Sequence, residues 1–254
     1  MQPDELDKQA AVEKTHWWFR MRRALLTNGL SSPRLENNSR ILEIGAATGG
    51  NFQVCQQFGN YYALDLSSYA LGVCQGKGIG NLVRANGRSL PFDGDQFDAV
   101  IAFDILEHIE EDNEAIGEIF RILKPGGRLL VNVPAFQWMF SAHDSAFDHV
   151  RRYQPNELES KVAEAGFAID YRTYWSFFIF PAVALVRAAS GQQKSQQETK
   201  TDFDRKLPKP AEWMLNALAR LELALIRRRI SLPIGISLLC FARKAAIGDK
   251  PRPA

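Results

Sequence analysis

Short apolar runs alternate with amphipathic stretches along most of the chain. Residues 3–29 follow a helical pattern, with Trp17, Trp18, Met21, Ala24, Leu25 and Leu26 interleaved with Arg20, Arg22 and Arg23 and with Gly29 as a stop. A polar loop, residues 30–39, follows. Strands are expected at 40–44, 61–64, 81–85, 98–103 and 128–133, and helices at 51–58, 67–75 and 112–123. The strands are short and apolar on both sides, as buried parallel strands are. Their alternation with helices predicts βαβ units in a sheet covered on both faces.

The rhythm changes beyond this region. A helix at 154–165 closes at Gly166, and a strand spans 167–174. Residues 174–186 (YWSFFIFPAVALV) are apolar but fall short of the roughly 20 residues that a spanning helix needs. They suit a buried or interfacial segment. A Gln/Lys-rich stretch, 189–206, reads as a mobile loop, followed by a long helix at 209–229, a strand at 236–244 and a frayed tail. The expected organisation is a helical cap (1–39), a core (40–174), a helical insertion (175–233) and a last core strand with its tail (234–254).

Composition narrows the class. The 254 residues are 46% hydrophobic and 24% charged, which excludes a disordered or collagen-like chain. Cys55, Cys74 and Cys240 form no CxxC pair, so they read as reduced thiols and not as a disulfide framework or zinc site. The polar, acidic N-terminus does not read as a secretory signal. The net charge of +2 hides an asymmetry. Residues 1–186 hold 17 basic and 23 acidic side chains, whereas 187–254 hold 14 and 6. Such a basic quarter suits an anionic partner, and a solvated helix face is the plainer reading.

The chemistry centres on residues 41–51, ILEIGAATGGN. A buried strand runs into a glycine-rich turn that opens a helix, an arrangement that brings backbone close to a ligand. Twenty residues after Gly45, a second strand ends in Asp65, which can accept both hydroxyls of a ribose. These features suit any adenosine-bearing cofactor. The dinucleotide pattern G-x-G-x-x-G would need glycine where Ala47 stands.

Downstream motifs resemble those of class I S-adenosylmethionine-dependent methyltransferases. Glu43-Ile44-Gly45-Ala46-Ala47-Thr48-Gly49 is similar to their E/D-x-G-x-G-x-G loop. Ala85-Asn86-Gly87-Arg88-Ser89-Leu90-Pro91-Phe92, Phe97-Asp98-Ala99-Val100, Asp104-Ile105-Leu106-Glu107-His108 and Arg121-Ile122-Leu123-Lys124-Pro125-Gly126-Gly127 follow in the family's order. Glu13-Lys14-Thr15-His16-Trp17-Trp18-Phe19, His143-Asp144 with His149 and Arg152-Tyr153, and Leu232-Pro233-Ile234-Gly235 resemble bacterial members of surface-polysaccharide or lipid-linked pathways.

The resemblance implies a Rossmann-like seven-stranded sheet of order 3-2-1-4-5-7-6 with strand 7 antiparallel. It implies S-adenosylmethionine as cofactor and S-adenosylhomocysteine as product. The cofactor contacts would be Glu43, Gly45, Ala46, Ala47, Gly49, Asn51, Asp65, Leu66, Asn86, Gly87, Phe103 and Asp104, with Trp18 and Arg22 contributed by a lid. His143 is the first choice of general base with Asp144 orienting it, followed by His149 and His108. Arg151 and Arg152 could hold an acceptor phosphate or carboxylate. Asp104, Glu107 and His108 resemble a metal triplet of ubiquinone-pathway enzymes, but the same motif is common without metal, and none is expected. The expected reaction is methylation of an oxygen, or less readily a nitrogen, on a small or lipid-linked acceptor. The chain is expected to be cytoplasmic, with peripheral membrane contact or a homodimer through its insertion and no nucleic-acid partner. A nicotinamide-dependent oxidoreductase and a non-catalytic binding protein are the rival readings.

Overall fold

Seven buried runs become strands: β1 (Arg40–Ile44), β2 (Asn60–Asp65), β3 (Asn81–Arg84), β4 (Phe97–Phe103), β5 (Leu123–Pro134), β6 (Phe167–Trp175) and β7 (Ser237–Lys244). The computed structural model describes residues 3–31, 35–190 and 208–246. The sheet order is β3-β2-β1-β4-β5-β7-β6, as the family resemblance implied. Strands β1 to β5 pair in parallel, and β7 lies antiparallel between β5 and β6. Alternate residues feed opposite faces. Leu42, Val100, Val131 and Cys240 enter one apolar cluster, while Ile41, Ile101, Leu130 and Leu239 enter another. Both faces are therefore buried, which explains the near-continuous apolar strands.

Nine α-helices occur among the described residues: α1 (Pro3–Val12), α2 (Trp17–Ser31), α3 (Phe52–Cys55), α4 (Ser68–Gly76), α5 (Asp112–Ile122), α6 (Ala142–Ala146), α7 (Glu157–Glu164), α8 (Phe180–Ser190) and α9 (Lys209–Arg227). The helix expected over 3–29 is two helices. The break is stabilised where His16 Nδ1 accepts the Trp18 amide at 3.3 Å, capping α2. Gly29 does not stop α2. It lies inside the helix, where a Cβ would stand 2.4 Å from Leu130 and 2.9 Å from Phe241, so it permits close packing on β5 and β7. The helix expected over 51–58 contracts to α3. Its continuation tightens into i to i+3 bonds, Gln57 to Val54 and Phe58 to Cys55, before β2 begins. The helix expected from 154 starts at Glu157, after Asn156 takes a left-handed φ of 65°. The stretch 191–206 and the tail lie outside the described residues. No described helix is long and apolar enough to cross a membrane. The inner side of α9 packs on α2 and the second cluster through Leu223 and Ile226.

Candidate active site

The carboxyl ends of β1 to β4 surround a cavity of about 380 Å³, in the range of small-ligand sites. Gly45, Asp65, Leu66, Asn86, Gly87 and His108 line it, with Ile105 and Ile109 supplying apolar wall. The structure thus brings six of the expected site residues to one surface. The turn at its base is tightly specified. Gly45 has φ 71°, and a Cβ there would stand 2.6 Å from Ile105. Ala47 also takes a positive φ, 46°, in place of the expected glycine. Its amide donates to Asp65 Oδ2 at 2.9 Å, and the Ser67 amide donates to Oδ1 at 2.8 Å. These bonds fix the carboxylate while its remaining lone pairs stay available at the cavity.

Other expected contacts support the turn from behind. Glu43 is buried and accepts hydrogen bonds from Asn51 Nδ2 and the Tyr61 hydroxyl. Burial pushes its pKa up, against the opposing effect of those bonds. Ala46 is buried in the second apolar cluster, and Gly49 (φ 71°) packs near Ile79 and Cys74. None of Glu43, Ala46, Ala47, Gly49 and Asn51 lines the cavity.

The cap is tied to this loop by a residue not chosen as a site residue. Glu13 is 3% exposed, accepts from the Thr48 hydroxyl and pairs with Lys77 Nζ at 2.6 Å. Lys77 also donates to the Thr48 carbonyl at 2.6 Å. The partners lie 35 and 64 residues from Glu13, so local spacing gave no signal.

A second tie uses the expected lid. Arg22 Nε lies 2.9 Å from Asp104 Oδ2, and Arg22 Nη2 donates to the Phe103 carbonyl at 2.7 Å. Its guanidinium also sits 5.5 Å from the Trp18 ring centroid. Asn132 donates to Asp104 Oδ1 at 2.6 Å and accepts from Trp175 Nε1 at 2.6 Å. Arg22, Phe103, Asp104 and Trp18 thus join cap to sheet and do not line the cavity. Burial raises the Asp104 pKa, and the Arg22 charge opposes that rise.

Beyond β5 the chain corrects one expected pairing. Asp144 does not orient His143. The two are successive residues of the short α6, and neighbours on a helix point in divergent directions. The chain folds back instead, and His149 Nδ1 meets Asp144 Oδ1 at 3.0 Å. Arg152 Nε reaches the same oxygen at 2.7 Å, Arg187 Nη1 lies 3.4 Å from Oδ2, and the Ser141 amide donates to Oδ2 at 2.8 Å. Burial raises the Asp144 pKa, but the His149 bond and both arginines outweigh it and hold the carboxyl well below the usual range. His143 packs on Phe147 with ring centroids 4.7 Å apart. Arg152 is buried in this network, and Arg151 lies 3.6 Å from Asp112, so both expected acceptor-binding arginines are engaged internally.

His108 and His149 rings meet edge to face at 4.7 Å. Burial and the His149 charge push the His108 pKa down to about 4, which keeps its imidazole neutral near pH 7. Glu107 is fully buried with no hydrogen-bond partner for either carboxyl oxygen, and burial together with the Asp104 charge holds its pKa far above the carboxylate range. Glu107, His108 and His149 have ligand-capable atoms within 4.8 Å of one another. Asp104, the remaining member of the resembled triplet, is committed to Arg22.

Residues 42–131 match the family described as methyltransferase domain. The chain is 34% identical over 131 residues to the ubiquinone/menaquinone biosynthesis C-methyltransferase UbiE of Erwinia tasmaniensis, covering 46% of this chain and 52% of that protein. For the Vibrio vulnificus protein of the same name the figures are 33% over 125 residues, 44% and 48%. The chain therefore spans about half the length of the curated relatives it matches. Among solved structures, a putative methyltransferase complexed with the Trm112 activator from Haloferax volcanii aligns with TM-score 0.60 and 16% identity, covering 94% of each chain. The [4+2]-cyclase SpnF aligns with TM-score 0.57 and 22% identity, covering 88% of this chain and 81% of that one.

Proposed function

We propose that this chain, whose residues 42–131 match a methyltransferase-domain family, transfers a methyl group from S-adenosylmethionine to an oxygen of a small or lipid-linked acceptor. The cavity supports the cofactor. It has room for an adenosyl group, a carboxylate at Asp65 for ribose hydroxyls, the two-way hydrogen-bonding amide of Asn86 for an adenine edge and apolar wall from Ile105 and Ile109. The bare α-carbon of Gly45 keeps the turn open beside Ile105. When bound, the cofactor supplies an activated methyl on a sulfonium centre.

The Asp144–His149 pair carries the assignment to an oxygen acceptor. Asp144 holds Nδ1, which leaves Nε2 as the proton-accepting atom, and His149 stands one ring behind the cavity-lining His108. His149 therefore takes the hydroxyl proton as the acceptor is methylated, and Asp144 stabilises the resulting imidazolium. Arg152 and Arg187 keep Asp144 ionised for that role. His143, the first choice from sequence, packs against the Phe147 ring instead. A carbon acceptor is the second reading, favoured by the activity in the UbiE relatives' names, and the same base would serve it.

The test is calorimetric titration with S-adenosylhomocysteine, with NAD in parallel. Micromolar binding that Asp65→Ala abolishes supports the reading. Preference for NAD, or no binding to the adenosyl ligand, overturns it in favour of an oxidoreductase or a non-catalytic scaffold. Once an acceptor turns over, His149→Gln is expected to retain cofactor affinity and lose at least 100-fold in kcat.

A further inference from the structure

The inner side of α9 is accounted for by its packing on the core, but the outer side is not. Trp213 is 75% exposed, Met214 52% and Leu221 51%. Arg220, Arg227 and the C-cap residue Arg228 are exposed on the same side. Counted from Trp213, Arg220, Leu221 and Arg227 fall at +7, +8 and +14, so they share one face of a helix with 3.6 residues per turn. Alanines fill the positions between them. An indole, a thioether and an isobutyl group thus stand in solvent beside three cations. Among the described residues no ion pair joins these arginines.

The acids of α9 point elsewhere. Glu222 is buried and accepts from the Phe177 amide at 3.3 Å. Glu212 lies close enough to His16 to act on its charge. The outward arc is apolar and cationic with no acid.

We infer that this face of α9 seats on the surface of an anionic lipid bilayer. The chemistry selects the occupant. Trp213, Met214 and Leu221 bury apolar surface at the headgroup boundary, and the arginines attract anionic headgroups. Trp213 suits that boundary because its ring carries both an apolar body and an N–H. A second copy of the chain fits poorly, since a two-fold contact through this face would oppose arginines to arginines with no acid to offset them. The helix lies in the interface plane and does not span it.

The experiment is co-sedimentation of the full chain with vesicles of phosphatidylglycerol and phosphatidylcholine, against phosphatidylcholine alone. Binding is expected to the anionic vesicles and to weaken with added salt. At about a fivefold loss per arginine, the triple change Arg220→Gln, Arg227→Gln and Arg228→Gln weakens it roughly 100-fold. Trp213→Ser with Leu221→Ser weakens it at least tenfold on the same vesicles. All five side chains are exposed, so the variants are expected to fold, and unchanged S-adenosylhomocysteine binding checks this independently. The inference is overturned if the wild type ignores anionic vesicles or if the variants bind as well as it does. It is also overturned if sedimentation shows a dimer that Trp213→Ser dissociates. None of these failures touches the methyl-transfer reading, which rests on the cavity at the strand termini.

Discussion

Glu222 offers a direct check on how α9 is held. It is 3% exposed, and burial pushes its pKa from the ordinary 4.5 up to about 7, against the opposing hydrogen bonds from the Phe177 and Ser176 amides. The folded protein therefore keeps a proton that the unfolded chain releases above pH 4.5. The stability linked to this group is fully present below that value and is lost as pH rises through about 7. At 1.36 kcal/mol per pH unit, the interval between the two values corresponds to about 3 kcal/mol. Glu222→Gln keeps the acceptor oxygen and removes the titration. Chemical denaturation of both proteins at pH 5 and pH 8 is the assay. The variant is expected to gain on the wild type by about 2.5 kcal/mol between the two pH values, since part of the loss has already occurred at pH 5 and only the wild type must desolvate a carboxylate at the higher one. A constant difference across that range would refute the reasoning.

Gly45→Ala is expected to abolish S-adenosylhomocysteine binding and lower stability by about 2 kcal/mol, since it imposes a left-handed φ on alanine and a contact with Ile105, as calorimetry and denaturation would show. Ala47→Gly is expected to change stability by less than about 1 kcal/mol, because relief at φ 46° offsets the entropy that glycine adds to the unfolded chain. Asp144→Ala strands Arg152, whose side chain is 3% exposed, and a loss of about 3 kcal/mol is expected in denaturation at pH 7. The low Asp144 pKa makes its contribution one that is present above the usual carboxylate range and lost in acid, so the gap between wild type and variant should narrow as pH falls below 4.

The parts of this molecule legible from sequence are those fixed by local periodicity. β1, β4 and the Asp65 strand end stood where apolar runs of strand length met polar turns, and burial on both faces left them little freedom. Gly45 and Asp65 were legible at the ends of β1 and β2 for the same reason, whereas Asn86 came from the family resemblance; with His108 all four line the same sheet edge. Side-chain partners set by tertiary folding were not legible. Glu13 meets Thr48 and Lys77 only because the cap folds over the turn. Asp144 chose His149 over its neighbour because the chain reverses after α6, with the His149 amide returning to the Asp144 carbonyl at 2.9 Å. Ala47 departs from the glycine pattern without departing from its backbone, since alanine adopts the left-handed conformation there.

The placement of β7 has a bearing on how the molecule is made. Ser237–Lys244 is the last described strand in the chain, yet it sits between β5 and β6 and bonds to both. During synthesis from the N-terminus, β6 emerges with no neighbour in the sheet, and the β5 edge stays open while some sixty further residues are added. Both edges close in one late event when β7 arrives. The aliphatic side of α9 reaches the solvent before that event, so the nascent chain passes through a stage with two unpaired strand edges and an unsealed helix together. Protection of the β5 amides that face β7, and of the β6 amides, in ribosome-bound chains should therefore appear only once residue 244 has left the exit tunnel, and at the same chain length in both strands, whereas β5 amides bonded to β4 are protected earlier.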